Sequence, residues 1–146
     1  MKKDNLQRER VVNEAISWLK TPYHHKAAVK GHGVDCAQIL LEVYFAAGVT
    51  EQLVDVGNYT QDWMLHRDDE RYLGWLFKYG HEVSEPQAGD VVIWKVGRCF
   101  SHAGIVVDYP RIIHAYRREG CVAYGDATQG ELSNRDAVFI SFWGKP

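Results

Sequence analysis

The run from Ala37 to Ala47 contains no Gly and no Pro, and Gly48 stands where a helix would stop. Ile39, Leu40, Leu41, Val43, Tyr44 and Phe45 leave this helix almost no polar face, so it has to be buried between other parts of the chain. Its start is equally well marked. Gly31 and Gly33 allow a tight turn. Asp35 is an N-cap whose carboxylate can accept the free amides of the first turn. Cys36 follows on that first turn, at the exposed end of the buried helix. There the helix dipole favours an anion, and a thiol is expected to ionise more easily.

The layers that bury such a helix are readable on either side of it. From Gln7 to Lys20, Val11, Val12, Ala15, Ile16, Trp18 and Leu19 fall on one helical stripe, ended by Thr21-Pro22. Tyr23 to Lys30 reads as a polar loop, and Val49 to Gln61 as a loop without clear period. Asp69 to Tyr79 reads as another helix closed by Gly80, and Asp68 to Arg71 as its solvated start. Trp63, Tyr72, Trp75 and Tyr79 could line a groove, although at helical spacing they fit a core better. Beyond the turn Pro86–Asp90 the period changes. Val91–Trp94, Ala103–Asp108, Arg111–Tyr116, Cys121–Tyr124 and Ala137–Trp143 read as five strands. Helices first and neighbouring short strands afterwards imply an α+β fold, with the helices packed on a C-terminal antiparallel sheet.

A reactive thiol needs a base, and the base needs an orienting group. Of seven histidines, His102 opens the second strand and His114 lies within the third, while His24, His25, His32, His66 and His81 read as solvated polar residues. A three-residue loop of Asp108, Tyr109 and Pro110 would pair Val107 with Arg111 and set His114 opposite Gly104. His114 would then share a face with His102, with room for an imidazole beside the glycine. A two-residue loop would send His114 to the other face. Cys36, His102 and His114 are therefore the candidate catalytic set. The same residues leave a rival open: Cys99 and His102 have a C-x-x-H spacing that Cys36 and His114 could complete as a zinc site, but a second closely spaced ligand pair is missing. Cys99 and Cys121 otherwise read as small buried residues.

The remaining bulk features narrow the class. A chain of 146 residues is the size of one domain. A formal net charge of -2 gives no electrostatic case for nucleic acid. Three cysteines are a poor disulfide framework. No apolar run reaches membrane-spanning length. Met1 to Arg10 is charged and lacks an apolar segment, which reads as no secretory signal and as synthesis in the cytoplasm.

Five motifs taken in order resemble the NlpC family of papain-like cell-wall cysteine peptidases. Thr21-Pro22-Tyr23 is similar to that family's T-P-Y. Val34-Asp35-Cys36 is similar to its D-C at the start of a buried helix. Ala88-Gly89-Asp90-Val91-Val92 resembles its P-G-D-L-V strand. Ser101-His102-Ala103-Gly104-Ile105-Val106 resembles its H-V-G-I-Y strand, and Ile112-Ile113-His114-Ala115 its M-I-H-A. The resemblance implies Cys36 as nucleophile, His102 as general base and His114 as its orienter. It implies an oxyanion or substrate-binding role for Tyr23, Asp35 and Ala37, with the Cys36 amide as a second donor, and no metal or other cofactor. The bare loop reading of Tyr23 is an anchor on the core. The implied substrate is a peptidoglycan stem peptide, cut between D-γ-glutamate and a diamino acid. Ala37-Gln38 replaces the family's S-G, and His24 to Ala28 replaces its glycine pair, which alters the substrate rim. Val29 to Cys36, Asp62-Trp63, Leu65-His66-Arg67 and Gly97 to His102 resemble versions carried by tailed phages and prophages. That implies tail-tip proteins as partners and action in the periplasm from a virion. A non-catalytic structural component of such a tail tip is the other reading of the same resemblance.

Overall fold

The computed structural model describes residues 2–50, 71–97 and 99–144, with the backbone alone at 71–73, 75, 99 and 100. Helix α1 (Lys2–Ser17) and helix α2 (Cys36–Ala46) flank a small ribbon of β1 (Ala28–Val29) and β2 (Gly33–Val34). Helix α3 (Arg71–Tyr79) leads into β3 (His81–Val83), β4 (Val91–Val96), β5 (Cys99–Asp108), β6 (Arg111–Tyr116) and β7 (Cys121–Asp126). A short 3-10 helix (Gly130–Asn134) precedes β8 (Ala137–Ser141). The fold is α+β, as expected. The main sheet has six strands rather than five, ordered β3-β8-β4-β5-β6-β7 and antiparallel throughout. The additional strand is β3, which is only three residues long and pairs with the C-terminal β8.

Other boundaries also differ from expectation. Helix α1 starts at Lys2, because its first turn extends into solvent without core contact, with Leu6 58% exposed. It stops at Ser17, before Lys20 takes a left-handed φ of 72°. Ile16 lies outside the core, while Val11, Ala15 and Trp18 are buried. In α2, Phe45 is 40% exposed, so one side of that helix does meet water. The loop expected over 49–61, the helix start at 68–70 and the motifs at 62–63 and 65–67 fall largely or wholly outside the described residues, as do the side chains of Tyr72, Trp75 and Cys99.

The sheet buries both faces. On one face Val91, Ile93, Ala103, Ile105, Ile113, Ala115, Val122 and Ile140 join Val11, Ala15, Trp18, Ile39, Leu40, Val43 and Tyr44 in the main core. The opposite face carries a smaller cluster of Val92, Trp94, Val106 and Ile112, closed by Ala127 and Leu132. Arg8 ties α1 to the sheet: its Nη1 donates to Asp90 Oδ1 at 2.8 Å and to Ala88 O at 2.9 Å, and its guanidinium lies 4.3 Å from the Trp143 ring centre.

Two irregularities in β5 set the positions that matter below. At its start, Trp94 pairs with His102 but Lys95 with Phe100, so Ser101 is an unpaired extra residue. At its end the hairpin turn is Tyr109-Pro110, since Asp108 pairs with Arg111. The loop is thus the two-residue form, not the three-residue one. Val107 is bulged, however, so Val106 pairs with Ile112 and Ile105 with Ile113. The bulge restores the register that the longer loop would have given.

Candidate active site

Helix α2 begins as its sequence dictates. Asp35 is the N-cap, its Oδ1 accepting from Ala37 N at 3.1 Å and Gln38 N at 2.9 Å. Its Oδ2 accepts from Lys26 N at 2.7 Å and lies 3.8 Å from His25 Nδ1. One buried carboxylate therefore holds both the helix start and the loop before it. Gly33 is needed for close packing there: a Cβ would stand 2.9 Å from His24 Cβ. Ala37 is buried, and its amide is engaged by Asp35 rather than pointed at open space.

Cys36 departs from expectation. It is 3% exposed, and its thiol donates to Ser101 O at 3.6 Å, the carbonyl just before His102. Burial, and then the Asp35 charge, push its pKa up to about 12, against the favourable amides of Cys36 and Ala37 and a hydrogen bond with Tyr23. Desolvation outweighs the helix dipole here, so the resting group is a thiol. Tyr23 anchors its loop on the core and also reaches the candidate nucleophile. It packs on the main core, and its hydroxyl meets the Cys36 sulfur. Burial and the neighbouring Cys36 and Asp35 raise the phenol's pKa, so it stays protonated and can donate.

His102 and His114 meet. His102 Nε2 and His114 Nδ1 are 2.9 Å apart, both side chains buried. His102 lies inside β5 rather than at its start, and stacks on Trp94, its direct cross-strand partner, at 5.6 Å between ring centres and 22° between planes. His114 stacks on Tyr116 at 4.6 Å and 19°. The imidazole pair is thus clamped between two aromatic rings. Nε2 of His102 is engaged by His114, which leaves Nδ1 as the other ring nitrogen of His102. Burial, then His114 and Arg135, lower the pKa of His102 to about 3, and burial lowers that of His114 to about 4. Both rings rest neutral. Space for His114 comes from Gly125 on β7, where a Cβ would lie 2.8 Å from Nε2. At Gly104 a Cβ would press on Ile112 Cδ1 at 2.9 Å and lie 3.4 Å from His114 Cβ, so that glycine also gives the imidazole room.

A cavity of about 460 Å³ opens beside these groups, with Tyr23 and His102 in its lining. Trp94, Tyr116 and Gly125 were not singled out from the sequence. The alternation that placed the histidines would have found Tyr116, two residues from His114 on the same face. Among the described residues, no group of three or more His, Cys, Asp or Glu converges as a metal cluster.

A cysteine at the start of a buried helix, set against an antiparallel sheet bearing paired histidines, defines a papain-like fold. The NlpC/P60 family model matches residues 20–139, and the chain belongs to that family. Among solved structures, NlpC1 from Trichomonas vaginalis matches with a TM-score of 0.68 at 17% identity, over 94% of this chain and 45% of that one. The NlpC/p60 domain of the peptidoglycan hydrolase SagA matches with a TM-score of 0.58 at 23% identity, over 90% of this chain and 96% of that one. RipD from Mycobacterium tuberculosis, a non-catalytic NlpC/p60 domain protein adapted to peptidoglycan binding, matches with a TM-score of 0.60 at 11% identity, over 94% and 98%. The chain spans less than half the length of the Trichomonas proteins it matches. Comparison with curated proteins found no match.

Proposed function

We propose that this domain is a cysteine peptidase hydrolysing peptidoglycan stem peptides, at the bond between D-γ-glutamate and a diamino acid. The observation that carries the reading is the 2.9 Å bond between His102 Nε2 and His114 Nδ1, next to a carbonyl that holds the Cys36 thiol. Cys36 is the nucleophile. As its sulfur attacks the scissile carbonyl carbon, the S–H bond that rests against Ser101 O breaks and the proton passes from sulfur to His102 Nδ1. His114 accepts from His102 Nε2–H and stabilises the imidazolium that forms. The oxyanion is held by the Tyr23 hydroxyl and the Cys36 amide at the positive end of α2. His102 then returns the proton to the leaving amine, and water, deprotonated by the same nitrogen, releases the acyl group. A neutral thiol and neutral imidazole at rest mean that proton transfer accompanies attack rather than preceding it.

Digestion of purified peptidoglycan, read by mass spectrometry of the muropeptides, tests this. Wild type should release fragments cut after D-glutamate, and Cys36→Ala should release none. Equal cleavage by both would refute the reading. The second reading is a peptidoglycan-binding domain without turnover, the role stated for RipD. It gains if wild type binds sacculi but releases nothing. The motif resemblances to phage and prophage forms support a tail-tip setting, with synthesis in the cytoplasm and action in the periplasm. Detection of the protein in purified virions tests that setting.

A further inference from the structure

The cavity beside His102 is unusually cationic. Arg117 and Arg118 reach it from the turn between β6 and β7, and Arg135 from the segment after the 3-10 helix. One carboxylate, Glu131, shares that lining. It is already occupied: the Tyr116 hydroxyl donates to Oε1, and Arg118 Nη1 lies 3.2 Å from Oε2. Glu119, the acidic residue of the same turn, lines the neighbouring cavity with His114 instead. Among the described residues neither Arg117 nor Arg135 has a carboxylate partner. Both stand near the reacting groups, since Arg117 acts electrostatically on Tyr23 and Arg135 on His102. Two guanidinium groups from separate elements thus face one cavity at the catalytic wall, where a planar fork can grip a carboxylate through paired hydrogen bonds.

We infer that Arg117 and Arg135 form a subsite for a free carboxylate of the substrate, holding it in the cavity between Tyr23 and His102. The inference rests on the hydrolase reading above and narrows its substrate to acidic stem peptides over their amidated forms. Arg118 is excluded from the grip because Glu131 holds it.

Alkylation of Cys36 tests this without any peptide. Iodoacetate carries a carboxylate where iodoacetamide carries a neutral amide, and mass spectrometry of the Cys36 fragment separates its modification from those of Cys99 and Cys121. The ratio of the two rates is compared in wild type, in the double variant Arg117→Gln/Arg135→Gln, and in Arg111→Gln, whose guanidinium lies over Tyr124 instead. The double variant should lower the iodoacetate-to-iodoacetamide ratio at least about tenfold, the scale of a lost hydrogen bond to a charged group, and Arg111→Gln should leave it unchanged. Added salt should shrink the wild-type ratio. A parallel arm compares cleavage of a stem tripeptide carrying free D-glutamate with its isoglutamine form. A ratio that ignores the arginine changes overturns the subsite, as does a thiol inert to both reagents in an enzyme that cuts both peptides equally. A ratio that falls as expected while wild type cuts neither peptide keeps the subsite and removes the hydrolase.

Discussion

Replacing Gly125 by alanine adds one methyl group where the structure has no room for it. The new Cβ would stand 2.8 Å from His114 Nε2 and 3.4 Å from Cδ2 and Cε1. Such contacts settle near 3.5 Å, so the ring must move by roughly 0.7 Å. It has nowhere easy to go. His102 Nε2 is 2.9 Å from its Nδ1, and Tyr116 is stacked on its face at 4.6 Å. The ring must tilt out of the hydrogen bond that orients His102. A displacement of this order at a catalytic group costs about 10²-fold in kcat/KM, or about 2.7 kcal/mol of barrier. The overpacking itself costs about 1–3 kcal/mol of stability. The assay is kcat/KM on a stem tripeptide with thermal unfolding alongside. Gly74→Ala is the control, since nothing among the described residues lies within 4 Å of its added Cβ and it sits inside α3. It should stabilise by about 0.5–1 kcal/mol and leave kcat/KM alone. A folded Gly125→Ala variant with wild-type kcat/KM would show that the histidine pair does not need its present geometry.

Acid should destabilise the protein earlier than its carboxylates alone would require. His102 and His114 have folded pKa values lowered to about 3 and about 4, against 6.5 in the unfolded chain. The unfolded state then takes up protons first, so their contribution is complete above about pH 6.5 and declines as pH falls toward 3, by at most about 1.4 kcal/mol per pH unit for each histidine. Tm measured from pH 7.5 to 5 should drop, and His114→Gln should flatten the slope; an equal slope in the variant would refute the assignment. The acid limb of kcat/KM should lie below the ordinary imidazole range. Tyr23→Phe should lower kcat about 10- to 10³-fold with KM little changed, as expected for a lost oxyanion donor, and an equal loss in KM alone would contradict that role. Asp35→Ala should cost about 1–2 kcal/mol through the lost cap. Asp35→Asn keeps an oxygen for the cap and removes the charge facing Cys36, so the thiol should titrate lower, followed by its absorbance near 240 nm.

What could be read from the chain was what neighbouring residues decide. The cap at Asp35, the stop at Gly48 and the run of apolar residues between them made α2 legible, and the β-branched runs from Val91 onward made the central strands legible. Strand β3 was missed because three residues carry no period and their partner is the distant segment Phe139–Ser141. The state of the Cys36 thiol was misjudged for a similar reason: the dipole is local, but the burial that overrides it comes from α2 packing on β5, far along the chain. The meeting of His102 and His114 was legible in its register and not in its cause, since a bulge at Val107 stands in for the longer loop. Gly125, which makes room for the ring, lies on a strand whose sequence gives no hint of what faces it.

That bulge also fixes where the hairpin can change length. Because Val107 is unpaired, deleting it would leave Asp108 opposite Arg111 and Val106 opposite Ile112, and the two imidazoles would stay together. Removing one residue between Gly104 and Val106, or between Ile112 and His114, would turn one imidazole toward α2 and break the pair. Length drift across this hairpin in descendants of the chain is therefore confined to Val107 and the turn beside it. The interval separating the two histidines can shorten by one there without cost to their encounter, so what brings the rings together is the register and not the interval.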